Sequence, residues 1–229
     1  HVRSNFKGML PEPAMRALRQ DKDRKLLDGD NRKISVLACE LRITDEDLNA
    51  LAENPDDVAR IMATASHNLR NTIISIGGTV DQAEGGRLFA YLNAPLETAD
   101  HVETACAAAL AMIESMDRTN AELSAVATGR CHVGPMGHGR SNRYSAIGPA
   151  VDRAAFLRRQ SEFYGPAIIC DDAVYRESHH KYAFLELDRL NTPHAERPIN
   201  IHALIGNPFI KSSKNFRELE AAHRAMIQA

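Results

Sequence analysis

The chain has 229 residues, which allow one large domain or two small ones at about 150 residues per domain. Its 28 lysines and arginines and its 30 aspartates and glutamates leave a formal net charge of −2. This balance argues against binding of nucleic acid or an anionic membrane, because both need clustered positive charge. The 44% of hydrophobic residues and 25% of charged residues are typical of a globular protein and exclude wholesale disorder.

The sequence carries no signal for a membrane span, secretion or a zinc site. No apolar run approaches the roughly 18 residues of a membrane helix, and the N-terminus lacks the apolar stretch of a signal peptide. The chain begins with His1 rather than Met, which predicts a fragment of a longer protein. The four cysteines are widely separated and no histidine joins them at zinc-ligand spacing, so we expect buried, reduced thiols.

Helical and strand patterns alternate along the chain. Short apolar runs between charges or turns are typical of strands, and apolar residues three or four apart are typical of helices. In chain order the patterns predict a helix at 9–20, a strand at 34–39, a short helix at 44–52, a helix from 55, a strand from 73, a strand at 88–92, a helix from 101, strands at 125–136 and 143–147, a helix at 149–164, strands at 167–170, 182–187 and 199–204, and a helix from 215. This alternation predicts an α/β or α+β protein with a single sheet.

Common catalytic motifs are absent from the sequence. It contains no GxxxxGK[ST] loop to hold a phosphate and no GxSxG turn to present a nucleophilic serine. These common motifs therefore give no indication of which activity, if any, the protein has.

Several short segments do occur in a fixed order along most of the chain. They are 34–42, 77–81, 93–95 followed by 100–101, the alanine-rich 107–112, the glycines Gly129, Gly134 and Gly137, the segment 144–155, and the pieces 186–188 and 203–206. Together they resemble the class III adenylate/guanylate cyclase catalytic domain, from about Phe6 to Gly206. Each piece is weak alone, but their common order makes the resemblance specific.

The resemblance implies an α+β fold with a ferredoxin-like βαββαβ core and extra helices and strands. It divides the chain into a helical connector from an upstream region at 1–30, a cyclase homology domain at 31–206 and a C-terminal helical extension at 207–229. It also implies a head-to-tail homodimer with ATP or GTP at the subunit interface. Two carboxylates would hold two Mg²⁺ or Mn²⁺ ions, which lower the pKa of the attacking 3′-hydroxyl, and the partner's Arg and Asn would stabilise the developing charge.

The family's metal and base positions are only partly kept. The first acid position holds Glu40, one methylene longer than the usual Asp and still able to bind a metal ion. The second acid position holds Gly86, which supplies no ligand. The base-reading Lys position holds Gln82, which keeps an amide without a charge, and its partner position holds Ser145, which offers a hydroxyl.

The positions that act on the transition state are changed as well. The Asn position holds Asp152, which would place an anion near a polyphosphate, and the Arg position holds Phe156, which donates no hydrogen bond. Arg158 and Arg159 follow closely, but on a helix they point elsewhere than Phe156. Each loss should remove several kcal/mol of transition-state stabilisation, so we expect a cyclase fold with a depleted active site.

Two arrangements around Glu40 remain open at this point. If the strand that contains Glu84 stays regular, Glu84 faces the same way as Gly86 and forms a substitute carboxylate cluster with Glu40 and Asp152. Alternatively, Arg87 pairs with Glu40 and fills the lost charge position without a metal ion.

Three functions follow from these observations. The first is a degenerate cyclase domain that dimerises or regulates, as a homodimer or with an intact cyclase chain, and needs no cofactor. The second is an active, atypical cyclase that uses Mg²⁺ or Mn²⁺ and makes cyclic AMP or cyclic GMP. The third is another ferredoxin-like module, for example one that binds nucleic acid, against which the 5% of aromatic residues and the lack of a basic face argue. The resemblance implies a cytoplasmic domain that reaches a membrane only through an absent upstream region.

Overall fold

The computed structural model of the chain describes residues 6, 8–19, 28–43, 49, 54–84, 86–115, 120–137 and 143–228. The helices are α1 (Glu12–Arg19), α2 (Pro55–Ser75), α3 (His101–Ser115), α4 (Pro149–Tyr164), α5 (Asp172–Ser178), α6 (Pro208–Ser212) and α7 (Lys214–Gln228). The strands are β1 (Asp30–Ile43), β2 (Thr79–Glu84), β3 (Arg87–Leu92), β4 (Asn120–Met136), β5 (Arg143–Ile147), β6 (Ile168–Asp171), β7 (Ala183–Leu190) and β8 (Ile199–Gly206).

The strands form one sheet in the order β2-β3-β1-β4-β6-β8-β7, and β5 pairs with β4. Strand β1 lies between β3 and β4 and is antiparallel to both. Read along the chain, β1, α2, β2, β3, α3 and β4 form the predicted βαββαβ core. The predicted α+β class with a ferredoxin-like core is therefore confirmed.

The two faces of β1 pack into different cores because successive side chains of a strand point to opposite sides. Leu37, Cys39 and Leu41 join a cluster with residues of α2 and α3. Ile34, Val36 and Ala38 join a cluster on the other face that also contains buried side chains of the N-terminal segment and of α4. Glu40 continues this second row, so it stands on the same face as α4.

The segment 73–76 is not the beginning of a strand, as its β-branched residues suggested. Helix α2 continues through Ser75, and β2 begins at Thr79 after a turn at Gly77. Leu69 and Ile73 are four residues apart and both buried, so they lie on one face of the helix. Packing of this face on the sheet outweighs the weak strand preference of isoleucine.

The predicted helix at 44–52 lies outside the described residues, apart from residue 49. The other predicted elements agree with the structure to within a few residues, and β5 and α4 have the predicted bounds. The C-terminal helix α7 contacts β7 through His223, whose Nε2 lies 2.5 Å from the carbonyl oxygen of Glu186, and Phe216 of the same helix is buried. Leu219 and Met226 of the same helix stay half-exposed or more. The division into connector, central domain and extension stays a prediction.

The cysteines are reduced and buried, as expected. Among the described residues, none of the helices has the length and apolar character to cross a bilayer.

His202 is a buried histidine with a lowered pKa. His202 of β8 is 3% exposed, and the ring of Tyr175 stacks on it with centroids 3.9 Å apart. The nearest carboxylate, that of Asp172, is 3.9 Å from Nε2. Burial is the largest cause that lowers the pKa of His202, to about 4.

We expect His202 to contribute stability that is lost in mild acid. Its pKa in the folded state lies below the ordinary 6.5, so the contribution is fully present above pH 6.5 and disappears as the pH falls through about 4. The full change is on the order of 3 kcal/mol. Urea unfolding of the wild type and of His202→Phe at several pH values between 7 and 4 measures it. The stability difference between the two proteins should shift in favour of the variant as the pH falls, and a constant difference would contradict the assignment.

Candidate active site

Glu40 stands near the end of β1, an interior strand of the sheet. The antiparallel register places it opposite Arg87 of β3, and cross-strand neighbours project to the same face. The Nε of Arg87 donates to Oε1 of Glu40 at 3.1 Å. The contact predicted between these two residues is therefore present.

A second guanidinium group reaches the same carboxylate. Nη1 of Arg158, on α4, pairs with Oε2 of Glu40. Arg158 is 8% exposed, and this burial lowers the pKa of its guanidinium below the ordinary value. Each oxygen of Glu40 thus has its own arginine. Arg158 points away from Phe156, as predicted from helix geometry, but its pairing with Glu40 was not predicted.

The backbone conformation at Gly86, the predicted position of the second acid, leaves little room for a side chain. Gly86 lies in the turn between β2 and β3 with φ +81°, a region that favours glycine. A Cβ there would lie 3.0 Å from Cε of Met62 and 3.1 Å from the carbonyl oxygen of Leu41. The carbonyl of Gly86 also accepts a hydrogen bond from the amide of Leu41 at 2.9 Å. A carboxylate side chain therefore does not fit without rearrangement of the turn.

Ser145 belongs to a hydrogen-bonded cluster around Asp81. Its hydroxyl donates to Oδ2 of Asp81 at 2.5 Å, and the hydroxyl of Tyr91 donates to the same oxygen at 2.6 Å. Nε of Arg143 lies 3.4 Å from Oδ1, and the Asp81 side chain is 4% exposed. Burial, followed by the charge of Asp81, raises the pKa of Tyr91. The hydroxyl at the base-reading position is therefore bonded within the domain.

Asp81 and Tyr91 were not identified as site residues from the sequence. Asp81 lies in the segment 77–81 that carries part of the resemblance, directly before Gln82, and this was the available signal. The side chains of Gln82 and Glu84 lie outside the described residues. Strand β2 ends at Glu84 and Gly86 is in the turn, so the regular alternation assumed for the cluster of Glu40, Glu84 and Asp152 does not extend to Gly86.

The two transition-state positions lie on α4 and have different surroundings. Asp152, in the first turn, is exposed, and its Oδ2 lies 2.8 Å from Nε2 of His194. Phe156 is partly buried and packs against the hydrophobic cluster that contains Ile169 and Ile201. The phenyl ring thus contributes to the core of its own domain, and His194 provides Asp152 with a partner that the sequence did not predict.

Comparison with known proteins was made for the sequence and for the fold. No protein-family model matches the chain. Adenylate cyclase 1 of Rhizobium meliloti (strain 1021) is 24% identical over 164 residues, which are 67% of this chain and 25% of that protein. The chain thus spans about a quarter of the length of the curated relative that it matches.

Solved structures are similar over most of the chain. The adenylyl cyclase CyaB from P. aeruginosa has a TM-score of 0.67 at 17% identity, over 79% of this chain and 97% of that one. The guanylate cyclase domain of RhGC from Catenaria anguillulae, in complex with GTP, has a TM-score of 0.66 at 14% identity, over 78% and 99%. The chain has the fold of a class III cyclase catalytic domain. A bacterial light-regulated adenylyl cyclase is similar over 93% of the chain and 64% of its own, at a TM-score of 0.68 and 14% identity.

The metal ions implied by this cyclase fold do not fit the residues that the structure describes. Both oxygens of Glu40 are paired with arginines, and Gly86 offers no ligand. In the part of the chain described, no group of three or more His, Cys, Asp or Glu side chains is placed to hold a metal ion. A two-metal site needs several carboxylate oxygens around each ion. The two predicted metal positions supply one carboxylate, that of Glu40, which is already paired with arginines.

We expect that restoring the acid by Gly86→Asp disrupts the turn instead of creating a metal site. The left-handed backbone and the contact with Leu41 should together cost about 3 kcal/mol of unfolding free energy. Gly77→Asp is the matched control, because Gly77 has φ +83° with nothing within 4 Å of an added Cβ, and it should cost about 1 kcal/mol. Chemical denaturation with and without Mn²⁺ checks this. Equal stability of the two variants, with Mn²⁺ binding by Gly86→Asp, would contradict it.

Proposed function

We propose that this chain is the cyclase homology domain of a cytoplasmic signalling protein, that its own active site is depleted, and that it acts as a dimerising or regulatory domain. It forms a homodimer, or a heterodimer with an intact cyclase chain that supplies the missing groups. In this role it has little or no cyclase activity of its own and no requirement for a metal ion.

The observation that carries the proposal is the conformation of Gly86. In the resemblance to class III cyclases this position supplies the second metal-binding carboxylate. Here a Cβ would lie 3.1 Å from a backbone oxygen. The missing carboxylate could therefore not be restored by exchange of the side chain alone, because the turn would also have to change. Without a second carboxylate, the two-ion mechanism loses several kcal/mol of transition-state stabilisation.

The distribution of positive charge supports the same conclusion. Phe156 occupies the transition-state Arg position and packs in the core. The buried arginine of the same helix, Arg158, is paired with Glu40 of its own chain and is not directed to a partner's substrate. Loss of a transition-state charge costs roughly 3 kcal/mol, and every 1.4 kcal/mol is about tenfold in rate. Together with the lost metal ligand, little ordinary activity is expected.

Assembly and location are supported by the surface and the thiols. Ile147 is 65% exposed and stands directly before α4, the helix that carries the two positions which the resemblance directs toward a partner. Large exposed apolar side chains often mark interaction surfaces. The four buried, free thiols are typical of a reducing compartment such as the cytoplasm.

A second candidate function is an active cyclase that converts ATP or GTP to a cyclic nucleotide with Mn²⁺ and a non-standard metal site. The retained carboxylate of Glu40 and the hydroxyl of Ser145 favour it. It requires that Glu40 leave both arginines when the nucleotide binds.

An activity assay separates the two candidates. Purified domain is incubated with Mn²⁺-ATP and with Mn²⁺-GTP, and cyclic nucleotide is measured by mass spectrometry. We expect no product above the blank, since both the second carboxylate and the charge-stabilising Arg are missing. The control is Glu40→Ala: product from the wild type that disappears in this variant would overturn the proposed depletion.

Assembly is measured by sedimentation velocity over a range of concentrations and by co-purification with a co-occurring intact cyclase. We expect the wild type to associate with itself or with that chain, and Ile147→Ser to weaken association roughly tenfold through loss of buried apolar area. Phe209→Ser is the matched control, because Phe209 is 79% exposed but lies on α6, and it should leave association unchanged. A monomer that captures no cyclase chain would refute the proposed role.

A further inference from the structure

Arg158 is a buried charge whose role the cyclase fold does not explain. It follows Phe156 by two positions on α4 and is 8% exposed, whereas the next residue, Arg159, is exposed. A guanidinium group stays protonated at any practical pH, so its burial is costly unless a negative group compensates it. Glu40 supplies that group through Oε2.

The carboxylate of Glu40 joins three elements of the fold. It is carried by β1, its Oε2 meets Arg158 of α4, and its Oε1 accepts from Arg87 of β3. The Glu40 side chain is 18% exposed and that of Arg158 is 10% exposed, while that of Arg87 is 65% exposed. The pair with Arg158 is therefore the shielded one, and Arg87 covers it from the solvent side.

We propose that the Arg158 guanidinium is a resident cation that takes the place of a metal ion on Glu40, holds α4 against β1 and β3, and closes this position to Mg²⁺ and Mn²⁺. The inference deepens the proposed function and rests on it for the identity of position 40 as a metal-binding position. It assigns Arg158 a positioning role and not a catalytic one.

Two physical reasons exclude a divalent ion while Arg158 is in place. A metal ion needs carboxylate oxygen lone pairs at roughly 2 to 2.5 Å, and here each oxygen is already paired with a guanidinium group. An ion at that distance would also meet two positive charges in a shielded environment, where like-charge repulsion is stronger than in water. Displacement of Arg158 would leave its charge buried without a partner.

The test is thermal unfolding of the purified domain with and without millimolar Mn²⁺. The wild-type Tm should not change with Mn²⁺. Arg158→Met should lower the Tm by roughly 8 °C, because it leaves Glu40 without its shielded partner. Arg159→Met, the matched control on the same helix, should lower it by less than about 2 °C. In Arg158→Met, Mn²⁺ should restore part of the loss, because an added cation then compensates Glu40.

The double variant Glu40→Gln with Arg158→Met completes a double-mutant cycle for the pair of Glu40 and Arg158. It removes both charges and should be more stable than either single variant, with no response to Mn²⁺. If Arg158→Met does not fold, this double variant and the wild-type measurement still test the proposal.

Four results would overturn the inference. They are a wild-type Tm that rises with Mn²⁺ through Glu40, an Arg158→Met variant as stable as the Arg159→Met control, a destabilised Arg158→Met that Mn²⁺ does not restore, and a double variant no more stable than its single components.

Failure of this inference can be distinguished from failure of the proposed function. Cyclic nucleotide formation with a wild-type Tm that is insensitive to Mn²⁺ refutes only the proposed depletion. A Tm sensitive to Mn²⁺ without product refutes only the resident cation.

Discussion

The antiparallel pairing of β1 with β3 is the constraint on which the site depends. This register runs from the pair Ser35 and Leu92 to the pair Glu40 and Arg87. It directs alternate residues of β1 to two different cores and leaves Glu40 on the face that α4 covers. A shift of one residue would turn Glu40 to the opposite side and exchange the two buried rows between their cores. The large buried clusters on both faces therefore fix the face on which the carboxylate of Glu40 lies.

The residues that stabilise the fold are different from the polar residues of the candidate site. The clusters that hold the sheet and helices together are apolar, and Glu40 lies near the end of β1, beyond the apolar row on its own face of that strand. The fold therefore depends on the apolar rows and does not require a particular set of polar residues at the candidate site. The charge that remains is balanced internally, since Arg158 and Arg87 neutralise Glu40. A buried carboxylate without either a metal ion or an arginine would be costly.

The residues beside the predicted base-reading positions contact the N-terminal segment. Tyr91, which donates to Asp81 beside Ser145, is in the same buried cluster as Phe6 and Leu10. The carbonyl of Met9 accepts from the amide of Val80 at 2.8 Å, next to Asp81. The segment that the sequence predicted as a connector thus packs on the cluster that contains Tyr91 and bonds to β2 beside Asp81.

The sequence by itself determined most of the elements, the expectation of buried cysteines without disulfides, the order of segments that indicates the cyclase fold, and the residue types at positions such as Gly86 and Phe156. These properties depend on local spacing and on residue type, which a sequence states directly. The pairing of Arg158 with Glu40, the cluster of Ser145 with Asp81, and the continuation of α2 through Ile73 were decided only by the tertiary structure. Each depends on what stands opposite a side chain across the gap between a helix and a strand or between two strands. Local periodicity gives the face on which a side chain lies but not its partner.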